Sequence, residues 1–320
     1  VHKTSRDGQR FSPGLPLAMS STRTGPNPRC ASYGELVRDV YAALRRKVFD
    51  GVDGDPTLAA QWVDEPHTVD VQPARPASTV MLLREDSRGL EVFVIRRAST
   101  MAFVPTAVVF PGGRVDERDA ETMPWAGPPP AEWALRLATD ERTARQLLAA
   151  AARELFEEAG VLLAGPDANS LVSASASRHW SDERTALENH ELSFTDFLNE
   201  HDLVLRSDLF TYRSRWVTPP PEPRRYDTFF FTAALPPGQD AISHTREADL
   251  AGWVRPDWLL AEGEAGRQLV VFPTQRNLLG LLDDGTVPAA TAPHDVIPVM
   301  MHSFRRPSGE LAMFPGPPDF

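Results

Sequence analysis

The run Arg153-Glu154-Leu155-Phe156-Glu157-Glu158-Ala159-Gly160-Val161 spaces three carboxylates so that they can act together. At i, i+3 and i+4 they share one helix face, and like charges at that spacing repel by roughly a few tenths of a kcal/mol per pair. A solvated helix gains nothing from them, whereas a divalent cation would convert the repulsion into chelation by hard oxygen ligands. Upstream, Phe110-Pro111-Gly112-Gly113-Arg114 reads as a tight glycine turn leaving a hydrophobic run. A glycine loop followed by a carboxylate helix suits metal-assisted chemistry on a diphosphate.

Those residues need a scaffold, and the sequence supplies one. Thr139 or Asp140 is a good N-cap, Leu147, Leu148, Ala151, Leu155 and Ala159 form an apolar face, and Gly160 is a stop signal. Ser78–Leu83 and Glu91–Ile95 flank a glycine-containing turn and predict a hairpin. Ala107–Phe110, Val161–Leu163, Leu209–Val217, Tyr226–Leu235 and Asp249–Val254 are further strand candidates. Helical periodicity marks Tyr33–Phe49, Ala131–Leu137, Glu183–His190, Phe194–His201, Pro256–Glu264 and Gln275–Leu282. Ile297–Phe304 and Glu310–Phe314 predict a last hairpin, and no internal repeat is present. The expected organisation is a flexible tail over residues 1–30 and a helical extension and loop over 31–75. The main α/β (α+β) domain follows over 76–320, with an insertion at about 120–139 and a C-terminal helix and hairpin at 275–320.

Bulk properties narrow the partners. Apolar content of 42% and charged content of 24% permit a sizeable core. A net charge of −11 argues against nucleic acid or an anionic membrane as partner and leaves a small-molecule substrate. Lysine occurs only at positions 3 and 47, so local phosphate contacts would fall to arginine. The single cysteine, Cys30, forms no internal disulfide and no Cys-based metal site. Val1–Ser21 lacks the apolar centre of a signal peptide, and no long apolar span exists, so a cytoplasmic protein is expected.

Gly113 together with Arg153–Val161 resembles the Nudix box, G-x5-E-x7-R-E-U-x-E-E-x-G-U with U apolar. The second half matches throughout. The first half departs: Asp119 stands where the family has Glu, and 33 residues rather than seven lead to Arg153. Pro128-Pro129-Pro130 and a small helix let this spacer loop out at a cost of about 0.6 kcal/mol per doubling of length. A branch of the family with an interrupted box includes a peroxisomal coenzyme A diphosphatase. Arg96–Ser99, Phe103–Gly113, Trp216–Pro219 and Arg225–Phe230 are similar to that branch.

The resemblance implies a Nudix-type α/β/α sandwich with a mixed sheet, and a hydrolase of phosphorus anhydrides. It implies Mg2+ or Mn2+ held by Glu154, Glu157 and Glu158 with Gly113 or Gly112, and candidate further ligands in Asp119 and Glu247. Glu154 and Glu157 are the expected catalytic carboxylates, with Arg153 pairing a box carboxylate; Arg97, Arg225, Gly112 and Gly113 are the expected substrate contacts. The expected substrate is a nucleoside diphosphate linked to another moiety, coenzyme A or acyl-CoA first. NADH, ADP-ribose and dinucleoside polyphosphates stay open, as do a non-catalytic nucleotide sensor and a homodimer. His179, His190, His201, His244 and His302 show no metal-ligand spacing and read as ordinary polar or core residues. Trp125 and Trp133 read as packing for the insertion, and Phe229–Phe231 as strand core.

Overall fold

Two long strands with apolar side chains on both faces organise the fold. The computed structural model describes residues 49–50, 55–98, 106–173, 178–242 and 248–318. Its first part runs β1 (Phe49–Asp50), α1 (Pro56–Asp64), β2 (Arg75–Asp86), β3 (Gly89–Arg97), β4 (Val108–Val109) and β5 (Gly112–Arg114). Then come β6 (Trp125–Ala126), α2 (Pro130–Leu137), α3 (Glu141–Ala159), β7 (Ala164–Gly165), α4 (Ser181–Glu188), α5 (Phe194–Glu200) and β8 (Val204–Arg206). Next are β9 (Thr211–Val217), β10 (Tyr226–Ala234), β11 (Ala248–Val254) and α6 (Pro256–Glu264). The chain continues through α7 (Phe272–Asp284), α8 (Val287–Ala290), β12 (Pro298–Arg305) and β13 (Leu311–Gly316).

The large sheet has the order β1-β13-β12-β9-β10-β2-β3-β11, with β4 added to β3 and β5 to β2. It is mixed: β10 runs parallel to β2 and β12 parallel to β9, amid antiparallel pairs. Successive side chains on a strand point to opposite faces, and the burial follows that period. Val80, Leu82, Phe229 and Phe231 join the core under α3, while Met81, Leu83 and Phe230 join a second core with Leu278 and Leu281 of α7. Helices thus cover both faces, as expected of the α/β/α sandwich. Phe229, Phe230 and Phe231 are all buried strand residues. No described helix is long and apolar enough to cross a membrane.

Several expectations change. The helix predicted over Tyr33–Phe49 lies outside the described residues except for its last position, where Phe49 pairs with Met313 in a strand. The stretch read as loop up to Pro76 contains α1, which Asp55 caps through Thr57 N–H and Pro56 opens. Only Ala59 of α1 is buried, so its apolar pattern is faint. Val161–Leu163 is buried without being a strand, because Gln239 takes the place of a neighbouring strand. Its Oε1 accepts from Leu162 N–H and its Nε2 donates to Leu162 O, both at 3.0 Å. Gly112-Gly113 is no turn either: β5 pairs antiparallel with β2, Thr79 opposite Gly112 and Ser78 opposite Gly113. A Cβ on Gly112 would lie 2.4 Å from Ser78 O, so glycine serves close strand approach there.

The insertion is part of the core. β6 joins β8 and β7 in a separate three-stranded sheet, and α2 packs on α3. Trp133 is fully buried edge-on to Phe231 at 6.1 Å, while Trp125 donates Nε1–H to Pro128 O at 2.7 Å. Trp133→Ala should therefore cost about 3–5 kcal/mol in urea unfolding; a loss below ~1 kcal/mol would show the insertion to be dispensable for folding.

Candidate active site

α3 carries the carboxylates and its ends are fixed locally. Asp140 accepts from Thr143 N–H at 2.9 Å at the start, and Gly160 adopts φ 66° at the stop. Ser78 Oγ–H donates to Leu147 O at 2.7 Å and pins the helix to β2. Because β5 also lies on β2, the glycines and the last two turns of α3 face one another.

Arg153 is the hub. Its guanidinium is almost wholly buried and donates from Nε and Nη2 to the two Asp119 oxygens, each at 3.1 Å. Nη1 donates to Glu154 Oε1 at 2.9 Å and Glu157 Oε1 at 3.2 Å, and Nη2 to Arg114 O at 3.1 Å. Burial works against its charge, but Glu154, Asp119 and Glu157 outweigh that and hold it firmly protonated. Asp119, expected among the metal ligands, faces Arg153 instead. It is 2% exposed, and Oδ2 also accepts from Asp116 N–H at 2.7 Å, closing a capping box around the 3-10 turn Glu117–Ala120. Burial lifts the Asp119 carboxyl above its ordinary range, and Arg153 pulls against that lift. The shorter Asp thus fits an anchoring contact, with both oxygens engaged by the Arg153 guanidinium.

The remaining carboxylates meet the glycine strand. A Cβ on Gly113 would fall 2.4–2.7 Å from the Glu154 carboxylate, so that group packs directly on the glycine. Glu158 Oε2 accepts from Gly112 N–H at 2.6 Å. Burial, then the neighbouring Glu154 charge, pushes the Glu157 carboxyl up to about 8 despite Arg153. Among the described residues no three acidic, His or Cys side chains are gathered as a metal ion would require. Glu154 and Glu157 lie on Arg153 instead. The donor chemistry nevertheless fits a hard divalent cation: crowded carboxylates, one of them pushed up by burial and by a neighbouring negative charge, are what such an ion relieves.

These groups line a cleft of about 770 Å³. It brings together Arg97, Gly112, Gly113, Arg153, Glu154, Glu157 and Glu158 from the expected set. Arg225 is not among its lining residues: its Nε donates to Thr218 O at 3.0 Å and Nη1 to Gln72 O at 2.7 Å, tying down the strand connection. Glu247 lies outside the described residues. The cleft also includes Tyr226, Thr228, Asp116, Arg118, Glu188 and His190, which sequence reasoning missed. The Arg118 guanidinium holds the Asp116 carboxyl down to about 2. No spacing signal could have joined His190 to Arg118 across 72 positions.

Two outcomes follow from this geometry. Gly113→Ala should displace the Glu154 carboxylate with little change in the fold. A crystal structure of the variant with Glu154 unmoved would contradict the contact. Glu157 keeps, when folded, a proton that the unfolded chain releases near 4.5. The native state thus binds more protons, and stability without metal falls as pH rises from about 5 to about 8, by at most a few kcal/mol. Thermal melts in chelator should show that slope, and Glu157→Gln should flatten it; parallel curves would refute it.

No family model matches the chain. A Caenorhabditis elegans protein named "Putative nudix hydrolase 7" is 25% identical over 204 residues, 62% of this chain. The match spans 57% of that relative's length. The crystal structure of a NUDIX hydrolase from Alicyclobacillus acidocaldarius aligns over 70% of this chain and 96% of its own, at 28% identity and a TM-score of 0.56. The fold is thus the Nudix fold, and these relatives support a Nudix hydrolase.

Proposed function

We propose that the cleft hydrolyses the diphosphate bond of a nucleoside diphosphate linked to another moiety, with Mg2+ or Mn2+ as cofactor. The observation that carries this reading is the packing of Glu154 and Glu158 on Gly113 and Gly112, with Glu157 beside them and Arg97 in the same cleft. Charge supports it. Asp116, Glu117, Glu154, Glu158 and Glu188 line the cleft with Arg97, Arg114, Arg118 and Arg153, so five acids against four arginines leave a negative excess even with Glu157 protonated. A diphosphate enters such a cleft only with cations that neutralise it.

A bound divalent cation supplies charge neutralisation for the diphosphate and acidifies a water. Glu154, Glu157 and Glu158 are the residues that would hold it. Glu154 orients the attacking water and takes its proton, and Arg153 fixes Glu154 and Glu157 from behind. Arg97 contacts a phosphoryl oxygen. Asp119 acts through Arg153 and is no ligand in this reading.

Coenzyme A and its acyl esters come first as substrates, because residues 96–113 and 216–230 resemble the coenzyme A branch. NADH, ADP-ribose and dinucleoside polyphosphates complete the panel. A nucleotide sensor is the second reading, favoured by the pairing of Glu154 and Glu157 with Arg153. Incubation of the panel with Mg2+ and detection of products by mass distinguishes the two: binding without products favours the sensor. Glu157→Gln/Glu158→Gln should lower Mg2+-dependent turnover by about 10²-fold or more while the chain stays folded; undiminished turnover would sink the metal assignment.

A further inference from the structure

The turn that ends α4 has hydrogen bonds that define its positions. Glu191 N–H donates to Ala186 O at 2.8 Å, and His190 N–H to Leu187 O at 2.9 Å. In this pattern the residue after the cap adopts the left-handed conformation, and glycine is the usual occupant. Here it is His190, at φ 59°. Glycine would adopt this backbone with less strain, so the imidazole is present at a cost to the turn. The side chain is 61% exposed and lines the cleft.

One edge of the ring is tied to the loop that follows the glycine strand. Nδ1 lies 3.1 Å from Arg118 Nη2 and 3.3 Å from Asp116 Oδ2. Arg118 donates Nε–H and Nη2–H to Asp116, each at 3.2 Å, and Nη1–H to His190 O at 3.1 Å and Leu192 O at 3.5 Å. Its donors are spent within the chain, so Arg118 is a brace for the ring. A guanidinium can only donate. Nδ1 accepts from Arg118 when the ring proton is on Nε2; Asp116 Oδ2, which can only accept, faces the same nitrogen and would take Nδ1–H from a ring carrying both protons, so Nε2–H is present in either of these arrangements. Orienting one imidazole nitrogen by a partner on the other is how proteins aim a histidine.

We propose that His190 is a substrate-contacting residue of this cleft, its Nε2–H donating to an oxygen of the nucleoside diphosphate, with Arg118 and Asp116 as positioning residues. The inference rests on the reading of the cleft as a nucleotide site. It adds a contact from the turn after α4, outside the box.

The test compares His190→Gly and His190→Asn with the wild-type chain in three measurements: steady-state kinetics on the substrate panel with Mg2+, calorimetric binding of ADP, and Tm. Glycine suits the turn, so His190→Gly should keep or raise Tm while raising KM and the Kd for ADP about 3- to 10-fold. Its kcat should change less than KM. Asn tolerates the left-handed backbone and carries an amide donor, so it should recover part of the affinity. Turnover with KM and Kd unchanged in His190→Gly would overturn the contact and leave the hydrolase reading standing. A lowered Tm with unchanged Kd would mark a merely structural histidine and overturn it equally. A wild-type chain that hydrolyses nothing but binds ADP more tightly than His190→Gly would sustain the contact and sink the hydrolase. A chain that neither binds ADP nor hydrolyses the panel overturns both.

Discussion

The candidate site depends on one buried cation. Placing a guanidinium under the surface is costly unless its donors are matched, and Arg153 matches them with three carboxylates and a backbone carbonyl. Each partner comes from a different structural need. Asp119 arrives from the start of the insertion, Arg114 O from the end of β5, and Glu154 and Glu157 from the same helix as Arg153. The hub therefore sets the insertion, the glycine strand and the carboxylate helix in one register. Removing it would leave Asp119 buried without its counter-charge, and Glu154 and Glu157 repelling one another.

The helix was legible because its signals are local. Asp140, the apolar spacing and Gly160 each act within a turn or two of the residues they control. The glycine strand was legible in composition and misread in conformation. Glycine favours turns in general, but here the reason for glycine is Ser78 O and the Glu154 carboxylate, brought close by tertiary pairing. Asp119 was recognised as the loop's carboxylate, yet its direction depends on the 3-10 turn and on Arg153, neither of which spacing reveals. Arg225, a substrate contact on the family resemblance, donates instead to backbone carbonyls at Thr218 and Gln72. His190 had no sequence signal, since Arg118 and Asp116, which meet its ring, belong to a distant part of the chain.

The fold's layers show the same division. Apolar runs in β2 and β10 are buried on both faces, as continuous hydrophobic strands should be. The covering elements were less evident where packing rather than pattern decides. Trp133 in α2 is a core residue because α3 and Phe231 lie beside it, although it belongs to an interruption of the box.

The parallel pairing of β2 with β10 has a consequence for how the chain reaches its working state. Tyr226 pairs with Arg75 and Thr228 with Ala77, joining segments about 150 positions apart. Both strands also supply lining to the cleft, through Ala77 and Thr79 on one side and Tyr226 and Thr228 on the other. Non-local strand pairs of this kind close late and slowly, because chain entropy is lost before the contacts form. The box helix can acquire its shape early, from its own caps. The floor beneath it exists only once these two central strands have met, so a nascent chain that has not yet released β10 carries the glutamates without the cleft.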